Sequence, residues 1–483
     1  MAAPKHSYSA FDTRVGDLVA RAGIGIGSDR PIREAAARMT EASIGSLVVI
    51  ESGEPVGIVT KTDVVRRVIA AGVDPGEAVG RVMSPDLVTI DADAYLFDGL
   101  MTMIRNRVGH LVVTEGGRFA GVVSEGDWIA FQRHHPLALL QRIEKAPSVE
   151  ALADHRREAL EFLEALFETE GTVRSLTELV TEINDRVTRR VIDISLAEAA
   201  GPPPAAFAWL ALGSEGRREQ TLSTDQDNGL VFADVEGAEL TAARQWFLAL
   251  ARRVNGHLAT CGFPLCKGNT MASNPELCRS LSEWQELFRE LVRRADPRDL
   301  IRASIYFDFR CLHGDRSLVE RMWRELLDRV GDNRSFLRFM AGEGAVYGGS
   351  PVNSLAWRLR SLAGLAPPPV DVKRQGLNPL VRMLRVIALD LGSSETNTLD
   401  RLELARQRGR LPGDLAESAA DAYEFVMLKR LRWQSRQKDS AEPNRIDPRE
   451  MNRLERTFLV EALKTIDRVE QQVRGDYGGA VIQ

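Results

Sequence analysis

The sequence predicts a multidomain chain of α/β and all-α character. It reads as a tandem α/β repeat, a helical connector, an α/β domain on a small mixed sheet, and a C-terminal helical domain. Three observations carry this. A segment near the N-terminus recurs at a fixed spacing. The apolar period then lengthens to that of long helices. Finally, two short apolar runs flank a glycine turn and a carboxylate pair, Asp225 and Asp227.

The chain has 483 residues, more than one ordinary core accommodates, so about two to four domains are expected. Hydrophobic residues at 44% beside charged residues at 27% describe a globular protein rather than a disordered or fibrous one. The net charge of -5 argues against a global nucleic-acid footprint, which shows as a strongly basic domain. The first residues, Met1-Ala-Ala-Pro-Lys-His-Ser7, carry no apolar signal segment, and no apolar run nears the roughly 20 residues of a membrane span. Cys261, Cys266, Cys278 and Cys311 lack the spacing of a disulfide framework or of a zinc knuckle. A cytoplasmic protein without membrane contact is the expectation.

The repeat comes first, over residues 10–132. Ile44-Gly-Ser-Leu-Val-Val49 matches Val108-Gly-His-Leu-Val-Val113, and Gly57-Ile-Val-Thr-Lys-Thr-Asp63 matches Gly121-Val-Val-Ser-Glu-Gly-Asp127. Gly45 to Gly109 and Asp63 to Asp127 are both 64 positions apart, as are Ile26 to Ile90 and Met39 to Met103. An unbroken register over that length marks a duplicated supersecondary unit. Each copy reads as an extended entry, a helix (Ile32 to Met39 in the first), two short strands (Leu47 to Ile50 and Val56 to Val59), and a second helix from the Asp onward. One such unit leaves a sheet face uncovered, so the two should pack as a pair.

Residues 133–200 form the connector. Leu160, Leu163 and Phe167 recur at helical spacing, as do Leu176, Leu179, Ile183, Val187 and Val191, and Gly201-Pro-Pro-Pro204 ends the region. No chemistry is expected of it.

The domain at 201–330 holds the chemistry. An apolar run to Leu212 turns at Gly213-Ser214, passes through a polar, helix-compatible segment with Arg217 and Arg218, and delivers Asp225 and Asp227 to a second run, Leu230 to Phe232. On a strand these two carboxylates would share a face. Their repulsion should raise one pKa unless a cation lies between them. Mg²⁺ commonly takes one or two carboxylates plus substrate phosphates, and a glycine turn before a helix brings backbone N–H groups to a phosphate. No Walker loop occurs. Glu215 and Glu219 read as an exposed helix face, Cys266 and Cys278 as small buried hydrophobes, and Tyr306, Phe307 and Phe309 as core. From residue 331 to 483 the period is helical. Val460, Leu463, Ile466 and Val469 form an apolar stripe.

The repeated Gly-[Ile/Val]-Val-[Thr/Ser]-x-x-Asp pattern resembles the CBS domain pair. That family often binds an adenine nucleotide between its units, and the resemblance implies AMP, ADP or ATP held by Thr60, Asp63, Ser124 and Asp127, with a homodimer formed through the pairs. Asp63 and Asp127 as simple helix N-caps remain the alternative.

Leu212-Gly-Ser-Glu-Gly-Arg-Arg-Glu-Gln220 with Thr224-Asp-Gln-Asp227, continued by Cys261-Gly-Phe-Pro-Leu-Cys-Lys-Gly-Asn269 and Ile305-Tyr-Phe-Asp-Phe-Arg310, resembles the nucleotidyltransferases that bacteria fuse to CBS pairs. These are related to the PII uridylyltransferases and glutamine-synthetase adenylyltransferases. The resemblance implies a nucleotidyltransferase using Mg²⁺ or Mn²⁺ to move NMP from ATP or UTP to a hydroxyl on a regulatory protein. Asp225, Asp227 and Asp308 would hold the metal, with Asp308 also as general base. Gly213, Ser214, Arg217 and Lys373 would contact the nucleotide phosphates. No HD-type hydrolase or ACT segment is present, and Thr224 stands where many relatives have Ser. A catalytically inactive nucleotide sensor remains the alternative. RNA end-addition is the lesser one, given the charge balance.

Overall fold

In the computed structural model the described residues are 14–19, 25–42, 44–52, 54–127, 136–167, 172–295, 305–342, 367–437 and 442–478. They fall into two compact units, one of residues 1–141 with 169–171, the other of 142–168 with 172–483.

The first unit is built twice. β1 (Gly25–Gly27) pairs parallel with β2 (Ser46–Glu51), which pairs antiparallel with β3 (Glu54–Thr60). β4 (Thr89–Asp91), β5 (His110–Glu115) and β6 (Arg118–Ser124) repeat that order. The sequence offset reappears in the pairing itself: Ile26 lies opposite Val49, and Ile90 opposite Val113. The register shifts at corresponding points too, between Val49 and Ile50 and between Val113 and Thr114. Helix α1 (Ile32–Glu41) buries Ile32, Ala35 and Met39, and α2 (Leu96–Asn106) buries Leu96, Gly99 and Met103, the spacing that puts three residues on one helical face. The second helix of the first copy differs from expectation. It is a single turn, Lys61–Asp63, that widens into the looser Val64–Ile69 turn. Its counterpart after Asp127 lies outside the described residues.

The second unit centres on a four-stranded mixed sheet of order β10 (Phe309–Gly314), β7 (Phe207–Leu212), β8 (Asn228–Phe232), β9 (Cys278–Ser280). β7 is antiparallel to both β8 and β10, while β9 runs parallel to β8. All six residues of β7 and all five of β8 are buried, as a sheet covered on both faces requires. α3 (Val149–Phe167) and α4 (Val173–Ala197) are the connector helices. Thr172 caps α4 by accepting from the Ser175 N–H, and Leu176, Leu179, Ile183, Val187 and Val191 are its buried stripe. α5 (Ala238–Thr260) lays Phe247 against Phe232, ring centroids 4.9 Å apart.

The larger core lies among α6 (Leu281–Arg294), α7 (Arg316–Gly331), α8 (Arg334–Gly342) and α9 (Asn378–Asp390). Trp284, Phe288, Met322, Phe336 and Val386 pack there with Phe307 and Phe309. Tyr306, Phe307 and Phe309 are therefore core, as read. Further helices are α10 (Thr398–Gln407), α11 (Gly413–Arg436) and α12 (Arg453–Gly478), and Leu463, Ile466 and Val469 of α12 are buried. A two-stranded ribbon, β11 (Val370–Asp371) with β12 (Arg445–Ile446), interrupts the helical pattern and was not legible from it.

Candidate active site

The site begins where β7 ends. Gly213 takes φ 56°, a left-handed value, and a Cβ there would stand 3.3 Å from an Asp227 carboxylate oxygen. Glycine is thus required both for the turn and for the approach. Only Gly213–Gly216 is helical. The segment from Arg217 to Asp227, read as helix-compatible, is a loop, with Arg218 exposed at φ 58°. Gly216 abuts the backbone before β10, where an added Cβ would fall 2.0 Å from the Asp308 carbonyl oxygen.

Asp225 and Asp227 precede β8 rather than lie on it. Alternation still holds, because Gln226 is pinned the other way. Its amide donates to the carbonyls of Asn255 (3.0 Å) and Phe263 (2.8 Å), and the Asn255 amide donates to Gln226 Oε1 (2.7 Å) and Asn228 Oδ1 (3.0 Å). With Gln226 locked inward, the carboxylates on either side of it turn together. Asp225, Asp227 and Cys266 each offer one ligand atom, all within 4.8 Å of one another. Burial, and then the neighbouring Asp225, push the Asp227 carboxyl up to about 6, against the lowering pull of Lys373, the Cys266 thiol and Arg217. That is the conflict a cation relieves, and the oxygen donors suit Mg²⁺ or Mn²⁺. Cys266 is not the inert hydrophobe expected. Its thiol is half-buried beside the carboxylates, and burial followed by Asp227 pushes its pKa up.

A cleft of about 230 Å³ opens beside this group, lined by Gly213, Ser214, Arg217, Asp227, Lys373 and Arg385 among others. Five of these are residues the sequence marks as site residues, and they converge here: Gly213, Ser214, Arg217, Asp227 and Lys373. Lys373 lies in the loose Val372–Leu377 turn. Burial first, and Arg430 next, hold its ammonium below the usual lysine range, while Asp225 and Asp227 pull it back up. Arg374 is exposed and does not line the cleft.

Asp308 is the correction. It was read as a third metal ligand and general base on a strand beside Asp225 and Asp227. The structure places it before β10, fully buried, with both oxygens occupied by guanidinium groups. Arg385 donates from Nε to Oδ1 (2.9 Å) and from Nη2 to Oδ2 (2.5 Å), Arg217 Nη1 donates to Oδ2 (2.7 Å), and Arg401 Nη2 lies 2.7 Å from Oδ1. Burial alone would raise its pKa, but Arg385, Arg401 and Arg217 outweigh it and hold the carboxyl far below the carboxylate range. In this arrangement each Asp308 oxygen faces at least two guanidinium nitrogens. Asp308 is absent from the ligand group that Asp225 and Asp227 form.

The carboxylates of Glu215 and Glu219 are likewise buried, not an exposed face. Glu219 accepts from Arg217 Nε (2.8 Å) and from the Thr398 N–H (2.6 Å). Arg385 and Arg401 were missed, and for Arg385 a signal existed. The run Asn378-Pro-Leu-Val-Arg-Met-Leu-Arg-Val-Ile-Ala-Leu-Asp390 is apolar on nearly every side, so its arginines must be buried and must find anions.

In the first unit, Thr60 and Asp63 line a cavity of about 410 Å³ together with Thr62, Arg107 and His110. Asp63 Oδ2 accepts from the Thr60 N–H (2.9 Å) and hydroxyl (2.7 Å), and Ser124 makes the same pair with Asp127 Oδ2 (2.8 and 2.6 Å). The N-cap of the first copy is thus Thr60, not Asp63, which closes a capping box from the third helical position; Ser124 and Asp127 make the matching side-chain contacts. Thr60 and Asp63 also face the cavity, whereas Ser124 and Asp127 do not line it. Burial holds the His110 imidazole below the usual histidine range, with Asp127 and then Asp63 acting to raise it.

Comparison with known families follows this layout. Residues 15–70 and 79–134 match the CBS domain, 157–298 match "Putative nucleotidyltransferase DUF294", and 335–477 match "Putative nucleotidyltransferase substrate binding domain". The fold and these matches define a CBS-linked nucleotidyltransferase-type protein. The chain belongs to the family that joins a tandem CBS pair to this nucleotidyltransferase domain and its C-terminal substrate-binding domain. It is 30% identical over 131 residues to hypoxic response protein 1 of Mycobacterium tuberculosis, covering 26% of this chain and 90% of that one. An uncharacterized protein of Methanopyrus kandleri is 33% identical over 97 residues, 20% of this chain and 50% of the relative, so the chain spans about half of that relative's length. A CBS domain protein of Pyrobaculum aerophilum, solved in complex with AMP, shares 22% identity with a TM-score of 0.24, covering 28% of this chain and all (100%) of that one. Among the described residues no helix is long and apolar enough to cross a membrane.

Proposed function

We propose that the second unit is a metal-dependent nucleotidyltransferase that moves NMP from ATP or UTP to a hydroxyl of a regulatory protein. The observation that carries this is the convergence of Asp227 with Gly213, Ser214 and Lys373 on one cleft, with Asp225 beside Asp227 within ligand distance. Asp225 and Asp227 would hold Mg²⁺ or Mn²⁺, which when bound offsets phosphate charge and polarises the α-phosphate. The Gly213-Ser214 turn presents backbone N–H groups to the phosphates, and Lys373 and Arg217 add positive charge. The acceptor oxygen forms a bond to the α-phosphorus and the α–β bridging P–O bond breaks. Pyrophosphate carries away the electron pair, and the acceptor proton passes to solvent. With Asp308 committed to arginines, no general base is assigned to it.

The CBS pair would bind an adenine nucleotide in the cavity bearing Thr60 and Asp63. An acidic side chain can take ribose hydroxyls, and the cavity lies within the 300–1,000 Å³ range typical of small-ligand sites. Coupling between the two sites must then be reciprocal. In the test, labelled ATP or UTP is incubated with the full chain, Mg²⁺ and cell lysate. Labelled protein should form with wild type and not with Asp225→Asn/Asp227→Asn. Absence of label with every nucleoside triphosphate would favour a non-catalytic nucleotide sensor.

A further inference from the structure

The cleft has an arginine wall that the metal group and the glycine turn leave unexplained. Arg217 and Arg385 line it, and both also clasp the buried Asp308 carboxylate. Arg385 commits Nε and Nη2 to Asp308, while Arg217 commits Nη1 to Asp308 and Nε to Glu219. A guanidinium carries its five donors in one fixed plane, so fixing one edge also fixes the direction of the other. Behind them sits Arg401, 1% exposed. Its Nε donates to the Glu395 carbonyl (2.7 Å), and its Nη1 has no hydrogen-bond partner. Three guanidinium groups share the Asp308 carboxylate; Glu219 offsets one, and across the cleft the other acid is Asp227, whose charge a bound metal would take up. Uncompensated buried charge is costly, and here it borders an open cleft rather than a closed core. An anion in that cleft completes the arrangement.

We propose that Asp308 is a positioning residue that fixes Arg217 and Arg385 as a clamp for the β- and γ-phosphates of a nucleoside triphosphate, with Arg401 bracing it from behind. This rests on the nucleotidyl-transfer reading of the cleft and assigns named residues to the pyrophosphate half of its substrate. As the α–β bond breaks, negative charge grows on the departing pyrophosphate, and preorganised guanidinium donors stabilise that charge without reorganising. Asp308 itself touches no reacting atom.

The test is calorimetric titration of tripolyphosphate, and separately of orthophosphate, into the metal-free full chain. Wild type should bind tripolyphosphate more tightly than orthophosphate. Arg385→Gln should weaken tripolyphosphate by about tenfold or more and flatten that preference, with Arg385→Lys restoring part of it. Asp308→Asn, with its fold checked by circular dichroism, should flatten the preference too. If that variant does not fold, the Arg385 pair decides. Asp225→Asn/Asp227→Asn should bind tripolyphosphate at least as well as wild type. No binding by wild type, unchanged affinity in Arg385→Gln, or loss in Asp225→Asn/Asp227→Asn would each overturn the clamp. Because nothing turns over in the titration, absence of nucleotidyl transfer would sink the enzymatic reading while leaving this result to stand or fall alone.

Discussion

Arg310 on β10 and Asp185 on α4 form a two-pronged ion pair, Nη1 to Oδ2 at 2.7 Å and Nη2 to Oδ1 at 2.6 Å. Asp185 is 3% exposed, and Arg310 Nε also donates to the Glu215 carbonyl at 3.0 Å. The connector helix is thereby fastened to the strand after Asp308 and to the turn after Gly213. In this way it fixes two elements that border the candidate site.

Asp185→Ala should accordingly destabilise the second unit by about 3–5 kcal/mol, because it strands a buried guanidinium. Exposed pairs such as Arg157–Asp154 should contribute about 0–1 kcal/mol. Urea denaturation of Asp185→Ala beside Asp154→Ala checks the contrast. The double variant Asp185→Leu/Arg310→Met should recover much of the loss, since it leaves no buried orphan charge; Arg189, which also contacts Asp185, is partly exposed.

The two glycines of the turn should separate folding from binding. Gly216→Ala drives a Cβ to 2.0 Å from the Asp308 carbonyl oxygen, so backbone must shift, and a loss beyond about 3 kcal/mol is expected. Gly213→Ala meets only the Asp227 carboxylate at 3.3 Å and a left-handed φ, a cost of about 1–2 kcal/mol. It should fold and lose nucleotide affinity. Thermal denaturation followed by nucleotide titration distinguishes the two outcomes.

The architecture was legible because it rests on periodicity. The 64-residue offset returned as strand register and as matching bulges. The turn at Gly213 and the carboxylate pair were legible because their chemistry is local in sequence. What failed was everything set by long-range charge pairing. Asp308 has a motif-like context, but its partners Arg217, Arg385 and Arg401 come from three other segments, and only their convergence shows that it serves as a counter-ion. Cys266 failed for the same reason, since its nearness to Asp227 depends on how the loop after α5 folds back over β8.

Two carboxyls with raised pKa give opposite experiments. Glu215 is pushed up to about 8, by burial first and then by Asp185, so folding takes up a proton near neutral pH. For an acid raised in the folded state, that stability is complete below the ordinary glutamate value and is lost as pH rises through 8. Glu215→Gln should remove this slope, gaining roughly 2–4 kcal/mol relative to wild type between pH 4 and pH 8. Asp227, at about 6, acts on cation binding instead, because proton and cation compete for its oxygens. Mn²⁺ affinity measured by calorimetry should rise about tenfold per pH unit up to 6 and level off above.

Cys266 should behave as a reporter of that same group. Cys261 and Cys278 are buried, whereas Cys266 is half-buried with its sulfur among the Asp225 and Asp227 oxygens. Burial and those carboxylates hold it as a thiol, so alkylation should be slow at pH 7 and quicken as pH rises. Once an alkyl group is attached, it occupies the space between the ligand oxygens, and Mn²⁺ affinity should fall by about tenfold or more. Cys266→Ser keeps a small polar side chain and should bind Mn²⁺ within a few-fold of wild type, about 1 kcal/mol, while resisting the reagent. Bound Mn²⁺ should in turn slow alkylation at Cys266 and leave Cys311 unaffected. Peptide mapping with and without Mn²⁺ reads this directly, and equal protection at both cysteines would show that the effect is not local to the carboxylates.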